Sequence, residues 1–77
     1  MNRLPLLVIC EGKFIENNIA FLKFTHDEIL KIANAHGAKN EKSVGVMTID
    51  GNGKVYFQKE KEKYEVFNVK LKEGVKW

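Results

Sequence analysis

The chain is predicted to be a small α+β domain, with a mixed or antiparallel sheet of about four to five strands and one main helix packed on one face, in the order β-(β)-α-β-β-β. Three observations predict this: a short apolar strand near the start, a helix with its own capping residues, and a hairpin punctuated by glycines. They follow one another from Pro5 to Phe57 with almost no spare residues.

Leu6 to Cys10 is continuously apolar and closed by Glu11-Gly12, the pattern of an inner strand buried on both faces. Alternation would send Leu6, Val8 and Cys10 to one side and Leu7 and Ile9 to the other. Gly12-Lys13 turns the chain into a brief extended segment at Phe14-Ile15, which Asn17-Asn18 interrupts. Ile19, Phe21, Leu22 and Phe24 follow without a clean period and are expected to form an irregular cover over one side of the sheet.

Thr25 opens the helix. Glu28, three residues on, can reach back to the cap's N–H, while Phe24 and Ile29 stand at the staple positions. Ile29, Ile32, Ala33 and His36 share one face, and Gly37 ends the helix as a residue that tolerates a left-handed conformation. Val44 to Ile49 and Lys54 to Lys59 then read as an antiparallel pair joined through Asp50-Gly51-Asn52-Gly53. After the charged turn at Lys59 to Lys63, Tyr64 to Leu71 alternates as an extra C-terminal strand with Phe67, Val69 and Leu71 on one face. Beyond Glu73-Gly74 the terminus is expected to fray, although Val75 and Trp77 are unusual residues to leave wholly in water.

With 77 residues the chain is read as a single domain, 1–77. A domain of this size buries only about 60% of the surface its unfolded chain exposes. The net charge of +3 is spread over alternating Lys and Glu, which concerns solubility more than partners. Cys10 stands alone, excluding an internal disulfide and a cysteine zinc cluster, and fits a reducing compartment. The apolar run from Leu4 to Cys10 is far below the roughly 20 residues of a spanning helix, and it lacks a small-residue cleavage site or lipoprotein pattern.

No motif carries chemistry. His26 and His36 stand at opposite ends of the helix, about 15 Å apart along its axis, and cannot share an ion. Asp50-Gly51-Asn52-Gly53-Lys54 starts like a calcium loop but has Lys54 at the fifth position, Val55 at the sixth and Lys61 at the twelfth, where a ligand, a glycine and a glutamate are wanted. Glu11-Gly12-Lys13 lacks the upstream glycine and the hydroxyl residue of a phosphate loop. Cys10 has no base beside it in sequence and a carboxylate next door, as expected of an inert thiol. Lys54, Tyr56, Lys59, Lys63, Tyr64 and Lys70 could build a basic aromatic face. Glu60, Glu62 and Glu65 dilute it and the RNA-platform consensus is missing, so no nucleic acid is expected. The chain is accordingly expected to be no enzyme and to need no cofactor.

Leu4-Pro5-Leu6-Leu7-Val8-Ile9, Gly12-Lys13, Asn17-Asn18-Ile19, the helix ending at Gly37, Val44 and Asn52-Gly53-Lys54 together resemble the cytoplasmic domain of the YetF/YcaP family of bacterial membrane proteins. The likeness spans roughly Leu4 to Phe57. Asn18-Ile19 stands for the family's Asn-Leu pair and Asp50 for its usual Glu, while Asn34-Ala35-His36 replaces its Leu-Arg before the helix-ending Gly. The resemblance implies a parent protein whose spanning helices precede this domain and hold it at the cytoplasmic face of the membrane. It supplies no catalytic residues. Because Pro5 already belongs to the pattern, the chain reads as a soluble piece of such a protein or as a free-standing relative.

Two functional readings follow, with an RNA-contacting domain as a weaker third. The first is a noncatalytic assembly or interaction domain; the second is a small-ligand or anion-binding module using Gly12, Lys13, Thr25 and His26, where a turn and a helix start offer N–H groups. The first is preferred because one helix covers one side of a sheet. The remaining apolar surface points to a homodimer through the sheet face or the C-terminal strand edge.

Overall fold

Residues 4–77 are described by a computed structural model. Five strands, β1 Leu6–Cys10, β2 Lys13–Phe14, β3 Val44–Ile49, β4 Lys54–Lys59 and β5 Tyr64–Asn68, form one antiparallel sheet in the order β2-β1-β3-β4-β5. Two helices, α1 Glu16–Phe21 and α2 His26–Ala35, lie between β2 and β3 in sequence. The small α+β class is as the residues predict.

The segment expected to be irregular is the first departure: α1 is a helix that begins at Glu16 and runs through Asn17-Asn18 without being broken there. Its end explains why no glycine announces it. Lys23 takes the left-handed position at φ 62°, its N–H donates to Ala20 O and the N–H of Phe24 donates to Ile19 O, a Schellman closure built on lysine. The same closure ends α2 with the expected glycine. Gly37 has φ 96°, its N–H reaches Asn34 O, and the N–H of Ala38 reaches Ala33 O. Asn34 reinforces it by donating from Nδ2 to Ala38 O at 2.9 Å.

The start of α2 is the predicted capping box. Thr25 Oγ1 accepts from the Glu28 N–H at 3.1 Å, and the Thr25 N–H donates to Glu28 Oε1 at 2.9 Å. Both strands of the hairpin have the predicted bounds. In the turn, Asp50 Oδ1 accepts from the N–H groups of Asn52 and Lys54, and Gly53 adopts φ 83°. The Gly53 N–H then closes on Asp50 O at 3.0 Å.

Burial of β1 on both faces is corrected. Only Val8 and Ile9 are fully buried, while Leu6, Leu7 and Cys10 stay partly exposed. The cause is a bulge between Leu7 and Ile9, across which the pairing steps from Leu7–Thr48 to Ile9–Met47. Cross-strand partners share a face, so Leu6 and Ile9 stand with Ile49 and Met47 on the core side, and Leu7 and Cys10 stand with Thr48 and Val46 on the other. The simple alternation of Leu6, Val8 and Cys10 does not hold.

Both helices pack on one side. Ile19 and Leu22, with Ile29 and Ala33, join Val8, Ile9, Val44, Met47, Ile49, Val55 and Phe57 in a single core. Each large side chain sealed there contributes about 1.5–3 kcal/mol relative to exposure. The C-terminal stretch also differs from expectation. The regular strand stops at Asn68, three residues before Leu71, and the chain beyond it packs instead of fraying. Val69, Leu71, Val75 and Trp77 lie against the core, Trp77 Nε1 donates to Leu4 O at 2.7 Å, and its ring meets Phe21 edge-on at 5.7 Å.

Candidate interaction surface

Of the candidate ligand-binding residues, Gly12, Thr25 and His26 have their polar groups engaged within the chain. The N–H of Gly12 donates to Val44 O at 2.9 Å, and a Cβ there would press on the Lys42 backbone at 3.2 Å, which together with φ 79° explains the glycine. Lys13 is exposed on β2. Thr25 uses both its hydroxyl and its N–H in the capping box. His26 stacks on Phe14, ring centroids 4.0 Å apart and nearly parallel, with Nε2 2.7 Å from Glu16 Oε1. The structure therefore brings His26 against β2. Asp27 and Glu28 occupy the first helical turn and oppose anion binding at this N-terminus.

Glu28 also forms an ion pair with Lys72. Lys72 and then the Thr25 N–H hold its carboxyl below the ordinary carboxylate range. A groove lined by Phe24, Ile32, Leu71 and this pair separates α2 from the C-terminal stretch, and its charged groups fasten one to the other. His36 is tied likewise, stacked on Phe67 at 3.6 Å with Nδ1 3.2 Å from Glu65 Oε1. Among the described residues no group of three or more His, Cys, Asp or Glu is placed to hold a metal.

The surface without a partner is the side of the sheet away from the helices. Register places Leu7, Thr48, Tyr56 and Val66 in one row across it, Lys13, Cys10, Val46, Gln58 and Tyr64 in a second, and Lys54 with Asn68 in a third. None of these residues belongs to the buried core or packs against it. Tyr64 is 62% exposed and Val66 46%. The Tyr56 and Tyr64 rings sit 6.0 Å apart, and Lys54 Nζ lies 5.8 Å from the Tyr56 ring centre. No carboxylate stands among them, so the face combines apolar and aromatic side chains with the neutral polar Thr48, Gln58 and Asn68 and has lysines at its margin. Of the basic and aromatic residues grouped from sequence, Lys54, Tyr56 and Tyr64 share it, whereas Lys59 faces the helix side with Val55 and Phe57.

The face ends at β5, whose edge can be read from the ladder. Asp50 N–H donates to Lys54 O, making Asp50–Lys54 a hydrogen-bonded pair. Alternation then turns the N–H and C=O groups of Lys54, Tyr56 and Gln58 toward β3, and those of Val55 and Phe57 toward β5. The N–H of Val69 on Gly53 O at 2.8 Å continues that phase. Glu65 and Phe67 consequently bond inward to β4. Tyr64, Val66 and Asn68 direct their backbone donors and acceptors outward, where among the described residues no other strand is paired. The sequence counts Phe67, Val69, Leu71, Val75 and Trp77 as apolar surface in need of a partner, but they pack against the core, and the open face instead carries Val46 and Val66, which the pattern did not single out. The available signal was the complementary half of each strand's alternation.

No family model, curated protein or solved structure matches the chain. No helix among the described residues is long and apolar enough to cross a membrane.

Proposed function

We propose that this chain is a noncatalytic assembly domain of a bacterial membrane protein, held at the cytoplasmic face and acting by association with its own copies. The observation that carries this reading is the uncovered sheet face: Leu7, Val46, Tyr56, Tyr64 and Val66 share one side of the sheet, and both helices pack on the other. An uncovered apolar sheet face with a lysine margin and no acid, base and nucleophile together suits contact better than turnover. The resemblance carried by Leu4 to Phe57 supplies the membrane-side setting. The internal use of the Gly12, Thr25 and His26 groups favours this reading over anion binding.

Sedimentation between about 1 and 100 μM tests it. An interface with a dissociation constant below about 10 μM is mostly formed at the upper end, so a concentration-dependent dimer is expected. A strict monomer throughout would overturn the reading for this chain.

A further inference from the structure

We infer that the partner is a second copy joined through β5, the two Tyr64–Asn68 strands pairing antiparallel about a two-fold axis at Val66; this rests on the assembly reading and specifies its interface. Tyr64, Val66 and Asn68 are the residues of β5 whose N–H and C=O groups point away from β4, and an exposed edge of this kind is a template for another strand.

A two-fold centred on Val66 sets Val66 opposite its own copy and Tyr64 opposite Asn68 of the second chain. All three outward residues then fall on hydrogen-bonded pairs, so every outward donor on β5 meets an acceptor. An axis at Glu65 or Phe67 leaves outward groups of Tyr64 or Asn68 beyond the ladder. No other register uses all of them.

Several of the usual protections of an edge are absent, and the one charged residue of β5, Glu65, lies on the helix side beside His36 Nδ1. β5 pairs with β4 in unbroken register over five positions, contains no proline and carries no lysine within Tyr64–Asn68. The opposite edge of the sheet differs: β2 has two residues and leads at once into Ile15 and α1. Pairing at β5 would also make the two open faces one continuous surface, covering the flanks of the exposed Tyr64 and Val66 side chains.

Cross-linking tests the axis. In a Cys10→Ser background, Val66→Cys would place two sulfur-bearing residues with Cα atoms about 5.5 Å apart, within disulfide range. Tyr64→Cys would meet its own copy only across about 14 Å of strand, too far to bridge. The expected result is a covalent dimer from Val66→Cys under mild oxidation and little from Tyr64→Cys. Val66→Pro removes an outward N–H without touching a bond to β4, and should raise the dissociation constant at least about tenfold with the circular dichroism spectrum unchanged. Should Val66→Pro unfold, the cysteine pair decides alone. A chain that dimerises in sedimentation while Val66→Cys stays uncrosslinked, or while Tyr64→Cys links as well, overturns the β5 axis and leaves the assembly reading in place. A monomer overturns both.

Discussion

Thr25 and Glu28 show how two residues can act as cap and tether at once. Thr25→Ala removes the acceptor for the Glu28 N–H and is expected to cost about 1 kcal/mol, seen as a lower denaturant midpoint at unchanged slope. A loss below about 0.3 kcal/mol would contradict the cap. Glu28 adds a pH dependence with a definite sign. Lys72 and the Thr25 N–H lower its pKa in the folded chain, so in the acid range the unfolded chain binds more protons. Its contribution is present above the ordinary carboxylate pKa and disappears as pH falls through the lowered one. Unfolding midpoints measured from pH 6 down to about 2.5 should fall more steeply in the wild type than in Glu28→Gln; parallel curves would show that the ion pair with Lys72 is immaterial.

At the scale of elements, the hairpin and α2 were legible because each carries punctuation with a stereochemical cause. Gly53 is the clearest case: φ is 83°, and a Cβ would stand 2.3 Å from Val69 O. Gly53→Val is therefore expected to cost at least about 2 kcal/mol, measurable by chemical denaturation. α1 was not legible because a lysine, not a glycine, occupies its left-handed closing position, and its six residues are too few to establish a period. That gives a second expectation. Lys23→Gly should raise stability by about 0.5–1 kcal/mol, a rise in Tm of a few degrees, as the strained φ is relieved. The bulge in β1 escaped notice for another reason: Val8 and Ile9 are both apolar, so nothing in their identities reveals that the alternation slips between them. The candidate surface was half legible. The alternation of β4 and β5 could be read, but which half faced the helices depended on the packing of α1.

For the molecule as a whole, one sheet side packed under the helices and one open side imply that folding and association are linked. A dimer that forms only from folded chains draws the folding equilibrium with it. The thermal midpoint should rise with protein concentration, for example between about 5 and 500 μM, by an amount set by the dissociation constant. A midpoint independent of concentration across that range would argue that the folded chains do not associate.

The contact of Trp77 with Leu4 and Phe21 makes the described chain almost a closed ring. Where its two extremes touch, their order in the polypeptide ceases to matter to the packing, and a short Gly-rich bridge from Trp77 to Leu4 would leave every strand neighbour unchanged. New ends could then be opened at the exposed Glu60–Lys63 turn, where only surface backbone is interrupted. The circularly permuted chain would begin with β5, synthesising first the strand that lies last in the sheet.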